Sequence, residues 1–361
     1  MDVTTWLQFG LGLVLLSAGG ELLVRGASGL ARRAGVSPLV IGLTVVAYGT
    51  SAPELVVSTT AVLGGRDDVA VGNVVGSNIF NVLFILGLCA LIRPLVVARQ
   101  LVVRDVPILI AASLAFLFFA ADGQIGLAEG LLLCAGALWF TVDSIRAGRR
   151  ESAAVRAEYA EAMPAVHARR GPIEVVLVVG GLLLLVAGGR VLVAAAVSIA
   201  QAAGLDDTVI ALTIVAAGTG LPEVATSLVA TWRGERDIAV GNVIGSSIFN
   251  IVAILGVAVL AAGRGGLSVA PAFESFDLPV MTAVALACLP LMARGHRLAR
   301  WEGALFLVYY GLYTTYLLLA ARHHAALPRF SAVMLEFVVP LTVATVLALA
   351  MSRRGAERPT E

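Results

Sequence analysis

Runs of about 20 apolar residues alternate along this chain with short polar loops, and that pattern leaves few folds open. About twenty residues of α-helix cross the hydrocarbon core of a bilayer. In lipid each spanning backbone must satisfy its own hydrogen bonds, so such runs become helices. Apolar segments lie at about 4–25, 38–62, 69–91, 104–121, 124–145, 172–198, 207–231, 237–262, 276–293, 300–321 and 331–352. Only 14% of the 361 residues are charged, against about 25% in a soluble domain. An all-α, multi-pass integral membrane protein is expected. The run beginning near Trp6 follows Asp2 with no basic residue before it, so it reads as a retained first helix rather than a signal peptide.

The basic residues set an orientation. Arg32, Arg33, Arg93, Arg99, Arg104, Arg149, Arg150, Arg169, Arg170, Arg294, Arg297 and Arg300 fall in the loops after segments one, three, five and nine. The loops after segments two, four, six and eight hold only Arg66 and Arg264. The positive-inside rule then places the N-terminus outside and the first set of loops in the cytoplasm. Arg353 and Arg354 place the C-terminus inside as well. Cys89, Cys134 and Cys288 lie in apolar segments without metal-ligand spacing and read as small buried hydrophobes. His167, His296, His323 and His324 lie in or beside polar loops and read as solvated. Neither a nucleotide-binding motif nor a large soluble segment is evident, and a net charge of +1 gives no reason to expect nucleic acid as a partner.

A repeat organises the chain. Residues 49–87 align with 218–256 without a gap, and 21 of the 39 positions are identical. The register also matches Gly19-Gly20 with Gly188-Gly189 and Gly35 with Gly204. The long polar stretch at 146–171 separates the halves. We expect a first membrane repeat at 1–145 with its motif at 42–87, a cytoplasmic linker at 146–171, a second repeat at 172–321 with its motif at 211–256, and an extra membrane helix and tail at 322–361. Each repeat has about five helices. Five is odd, so the second half enters the membrane from the opposite side, and the expected core is ten helices in two inverted-topology repeats with a probable eleventh after them.

The repeated motif concentrates what lipid disfavours. "GTSAPEL" and "GTGLPEV" each place a proline and a carboxylate, Glu54 or Glu223, near mid-membrane. A charge there costs roughly 2.5–3.5 kcal/mol or more and needs a partner or a cavity. Two carboxylates facing each other repel, and a divalent cation between them neutralises both; Ca²⁺ takes such oxygen ligands. Pro53 and Pro222 block helical hydrogen bonds one turn back. The helix is expected to break around Gly49 and Gly218, freeing carbonyls at Ala47, Thr50, Ala216 and Thr219 as neutral ligands. In the second block, "GNVVGSNIFN" and "GNVIGSSIFN", Ser77 and Asn81 share one helix face, as do Ser246 and Asn250. These are neutral oxygen donors suited to Na⁺ or to the flanks of a Ca²⁺ site, with interhelical hydrogen bonding as the plain alternative. Gly72, Gly76, Gly241 and Gly245 read as close helix packing. Asp68 and Asp237 read as helix N-caps. Glu21 and Arg190 occupy matching places and could pair, line an entry route or snorkel.

At these motifs the sequence resembles the calcium/cation antiporter superfamily, and within it the prokaryotic sodium/calcium exchanger branch, over about residues 4–321. The resemblance implies alternating access and exchange of Ca²⁺ for Na⁺ across the cell (inner or plasma) membrane, with no enzymatic step and no cofactor. It implies Ca²⁺ ligands at Glu54, Glu223 and the carbonyls of Thr50 and Thr219. It implies Na⁺ ligands at Ala47, Ser51, Ser77, Asn81, Ala216, Glu223, Ser246 and Asn250. The sequence departs from the family pattern where Gly220 replaces a frequent serine and Asn250 an occasional aspartate; an eleventh segment also exceeds the ten-helix core. Cation/proton relatives usually carry a Glu-His pair, whereas Glu54 precedes Leu55 and Glu223 precedes Val224. Exchange against H⁺ stays open as the alternative counter-ion, and a passive cation channel as the alternative class.

Overall fold

The structure, a computed structural model, describes residues 3–150, 171–202, 218–322 and 324–334. Among the described residues eight helices are long and apolar enough to cross a membrane, and one bent pair makes a ninth span. They are α1 (Val3–Ala34), the bent pair α2 (Pro38–Thr50) and α3 (Ala52–Leu63), α4 (Asp67–Ile92), α5 (Leu101–Phe119) and α6 (Leu127–Ala147) in the first half. The second half holds α7 (Pro172–Ala202), α8 (Leu221–Arg233), α9 (Arg236–Gly265), α10 (Phe273–Ala293) and α11 (Arg300–Ala321), with a short α12 (Leu327–Val333) after them.

Proline marks helix starts. Pro38, Pro53 and Pro222 sit in first turns, where a missing N–H removes no helical bond. Pro107 and Pro279 follow the π-helical turns Leu101–Asp105 and Phe273–Asp277 that open α5 and α10, and Pro290 sits further inside α10. The main core joins α4, α5, α9 and α10 through buried residues such as Val74, Ile79, Leu109, Phe116, Ile244, Ile248 and Met281. Large apolar side chains face outward instead on α1, α6 and α7, among them Leu7, Val14, Leu132, Leu138, Val176 and Leu183. So much exposed apolar surface suits lipid and not water.

α1 and α7 run antiparallel and touch through glycine. A Cβ on Gly12 would lie 2.8 Å from the Leu192 nitrogen, one on Gly19 2.8 Å from that of Leu185, and one on Gly181 2.6 Å from that of Leu23. Only glycine permits that approach, as at small-residue interfaces of membrane helices.

Two short antiparallel strand pairs clasp the bundle at its ends. Leu95–Val96 (β1) pairs with Arg297–Leu298 (β4), and Gln124–Ile125 (β2) pairs with Leu267–Ser268 (β3). α5 leads from β1 to β2, so the two clasps lie at opposite ends. The β1 end gathers Arg93 beside Gly234, and Arg32 beside Glu235. At the β2 end the Ser268 N–H donates to Asp67 Oδ2 at 3.0 Å.

Several expectations need adjustment. The first helix continues to Ala34, beyond the expected end at 25. The linker expected from 146 begins as a continuation of the preceding helix to Arg150; residues 151–170 lie outside the described residues, as does nearly all of the expected eleventh segment at 331–352. Asp68 and Asp237 lie inside the first turn of α4 and α9, and the N-cap positions are Arg66 and Glu235. A first-turn carboxylate still faces the positive end of the helix dipole. Glu21 does not pair with Arg190: it binds Arg25 and Arg233, and Arg190 is exposed. Gly241 and Gly245 meet α2 closely, a Cβ on Gly245 falling 2.7 Å from the Leu43 carbonyl. The matching partners of Gly72 and Gly76, residues 208 and 212, lie outside the described residues.

Candidate functional site

α2 is broken in two places. A π-helical turn spans Gly42–Val46, and the helix then bends by 44° at Ser51, where α3 begins. Ser51 has φ −83° and ψ 7°, and Gly220, the matching residue before α8, has φ −78° and ψ 0°. Both occupy the bridge region between helical and extended backbone, and Ser51 and Gly220 each accept a hydrogen bond from the residue four later. These residues fall two positions after the expected Gly49 and Gly218, because the prolines at 53 and 222 need only the first turn behind them disrupted. In each half the glutamate lies in the first turn of the helix that follows.

Glu54 and Glu223 are each only 2% exposed. They come from the two halves of the chain and are close enough to repel each other. On each, Oε2 has no hydrogen-bond partner. Buried polar atoms are almost always paired, so two orphaned carboxylate oxygens in one place need an explanation. Around them the halves interlock. The Ser51 hydroxyl donates to Glu223 Oε1 at 2.9 Å. Gly220 offers Glu54 no such donor. The Thr219 hydroxyl lies toward Glu54 but closes no hydrogen bond. Thr50 Oγ1 lies 3.2 Å from Asn242 Oδ1, and Ser246 Oγ lies 3.4 Å from the Ala47 carbonyl.

The structure thus brings Ala47, Thr50, Ser51, Glu54, Thr219, Glu223 and Ser246 into one interlocked group. Asn81 and Asn250 are buried in π-helical turns, Phe80–Leu86 in α4 and Asn250–Leu255 in α9. Such turns displace side chains from regular helical positions and recur at functional sites. Ser77 is half-buried on α4, and no hydrogen bond among the described residues ties Ser77 or Asn81 to the group. Ala216 lies outside the described residues. The Ala47 carbonyl is not freed as expected: it accepts the Ser51 N–H at 3.0 Å, because the short helix Ala47–Thr50 re-forms between the π turn and the bend. Its second lone pair faces the Thr50 and Ser246 hydroxyls, at 3.3 and 3.4 Å.

Two matched pairs escaped the sequence reading. Asn73 donates to Ser58 Oγ at 2.9 Å, and Asn242 donates to Ser227 Oγ at 3.0 Å. Asn73 also donates to the Glu54 carbonyl at 3.2 Å. These bonds tie each glutamate-bearing helix to the helix after it. Their signal was available: both asparagines and both serines are identical between the repeats. Among the described residues no three His, Cys, Asp or Glu gather as a metal cluster, so any cation here relies on two carboxylates and neutral oxygens.

The sequence model of the family described as Sodium/calcium exchanger protein matches residues 4–145 and 173–319. The chain is 42% identical over 303 residues to the Putative antiporter CaxA of Alkalimonas amylolytica, covering 82% of this chain and 93% of that one. It is 33% identical over 333 residues to Sodium/calcium exchanger MaX1 of Methanosarcina acetivorans, covering 83% of this chain and 94% of that one. Its fold is similar to the solved structure of the sodium-calcium exchanger NCX_Mj soaked with zero Na⁺ and Ca²⁺, with TM-score 0.75 and 30% identity, covering 88% of this chain and all of that one.

Proposed function

This chain belongs to the sodium/calcium exchanger protein family, and from that premise we propose that it is a secondary antiporter that moves Ca²⁺ against Na⁺ by alternating access. The observation that carries the reading is the pair Glu54 and Glu223, buried together with an unpartnered oxygen on each. Two negative charges held that close away from water demand positive charge. One Ca²⁺ supplies it between the two carboxylates, with the carbonyls of Thr50 and Thr219 as further hard ligands. Sodium ions supply it as a group, using Ala47, Ser51, Ser77, Asn81, Ala216, Glu223, Ser246 and Asn250. The two cargoes then compete for one set of charges, which couples them: neither conformational switch nor release proceeds with the carboxylates left bare.

The repeat gives a physical basis for alternating access. The halves enter the membrane in opposite senses on this reading, so a gap opening toward one side through one half has an equivalent toward the other side through the other half. The strand pairs at opposite ends of the bundle, each built from both halves, support this arrangement. The clustering of Arg32, Arg93, Arg233, Arg297 and Arg300 toward the β1 end supports placing that end in the cytoplasm and the N-terminus outside, in the inner or plasma membrane.

Replacing Glu54 or Glu223 by glutamine keeps size and removes one charge. Breaking a buried charge pairing costs roughly 3–5 kcal/mol, so Ca²⁺ uptake by either purified variant in liposomes is expected to fall by over about a hundredfold. Near-normal uptake by a folded variant would overturn the site.

A further inference from the structure

The second-motif helices of the two halves differ at one buried polar position, Asn78 in α4 against Ser247 in α9. Asn78 Nδ2 lies 3.1 Å from the Ser247 backbone carbonyl and 3.7 Å from Met281 Sδ. Its Oδ1 lies 3.0 Å from Asn250 Nδ2. Asn250 Oδ1 is buried with no partner.

An asparagine amide has a donor end and an acceptor end, and its orientation follows from its partners. A backbone carbonyl only accepts, so Asn78 must turn its NH₂ toward Ser247. Its oxygen then faces Asn250, which must answer with its own NH₂. The carbonyl oxygen is the one end of Asn250 left uncommitted, on the helix face where Ser246 meets the Ala47 carbonyl. Turned the other way, Asn250 would present two N–H groups and repel a cation. The orientation is therefore relayed from a backbone atom through one side chain.

We propose that Asn78 is a positioning residue that sets the cation selectivity of the site by locking Asn250 with its oxygen, and never its amide NH₂, toward the ions. This rests on the sodium-site reading of Asn250 given above. Serine at 247 performs no such service for Asn81, since its hydroxyl donates to the Val243 carbonyl at 2.8 Å. The lock exists in one half only.

The test is a double-mutant cycle read by the Na⁺ concentration that half-protects purified protein against thermal unfolding, alongside that for Ca²⁺. Asn78→Leu keeps the volume and removes both bonds. One net hydrogen bond corresponds to roughly a three- to tenfold change, and the half-protecting Na⁺ concentration is expected to rise by that factor. In the Asn250→Asp background both terminal atoms are oxygens and no amide can turn toward the ions; Asn78 Oδ1 then faces an acceptor, so Asn78→Leu is expected to leave the half-protecting Na⁺ concentration unchanged or lower it, and not to raise it. A general loosening of the site would move Ca²⁺ and Na⁺ together, and by the same factor in both backgrounds; that result overturns the lock. Asn78→Ser, the residue present in the other half, serves the same cycle if the leucine variant does not fold. Wild-type protein that Na⁺ fails to protect overturns the sodium reading and this proposal with it. Na⁺ protection with equal factors in both backgrounds overturns this proposal alone.

Discussion

Ser51 donates to Glu223, and the matching residue of the other half, Gly220, has no side chain with which to do the same for Glu54. The two carboxylates are therefore unequal although their backbones are alike. Gly220 has φ −78°, which any L-residue adopts, so nothing in the backbone demands glycine there. A serine at 220 adds a hydroxyl beside Glu54 and one more neutral oxygen for Na⁺. Gly220→Ser is expected to lower the half-saturating Na⁺ concentration for exchange by roughly two- to tenfold, the equivalent of one hydrogen bond or ligand contact. Na⁺ titration of ⁴⁵Ca²⁺ uptake into liposomes measures it, and an unchanged or higher value contradicts the assignment of this position to the sodium site.

At the scale of elements, the contact between α1 and α7 depends on glycines spaced so that the helix backbones touch. Gly181→Leu places a side chain where a Cβ alone would be 2.6 Å from the Leu23 nitrogen. Overpacking of that kind costs roughly 1–3 kcal/mol, and a lower melting temperature in detergent with reduced transport is expected. An unchanged melting temperature would mean the two helices do not pack this way. Much of this level was legible in the residues. Among the described residues the apolar runs located the spans, the repeat register matched Glu54 with Glu223, and Pro-Glu located the break at Ser51 to within two residues. The π-helical turns at Gly42–Val46, Phe80–Leu86 and Asn250–Leu255 were not legible, since a helix that gains one residue per turn keeps the same apolar composition. The Asn73–Ser58 and Asn242–Ser227 bonds, which join residues of adjacent helices 15 apart in sequence, left a trace only as identities between the repeats. Asn250 could be read as a ligand, but which end of its amide faces inward depends on Asn78 in the other half.

For the whole molecule, the two clasps give orientation a simple check. Arg99 lies in the helical turn just after β1 and Arg264 at the β2 end, and both are exposed. In a background lacking Cys89, Cys134 and Cys288, an impermeant thiol reagent added outside intact cells is expected to label Arg264→Cys and spare Arg99→Cys; the reverse pattern would invert the proposed orientation. On the proposed function, transport rests on coupling, with the buried charge of Glu54 and Glu223 neutralised in turn by Ca²⁺ and by Na⁺. A proton on either carboxylate could replace sodium, and among the described residues the site contains no third acidic group to separate the two cases. The most direct measurement is ⁴⁵Ca²⁺ uptake into proteoliposomes loaded with Na⁺ or K⁺, with and without a pH gradient. Exchange against sodium predicts uphill Ca²⁺ accumulation only with internal Na⁺, indifferent to the pH gradient. Accumulation that follows the pH gradient and ignores internal Na⁺ would contradict it.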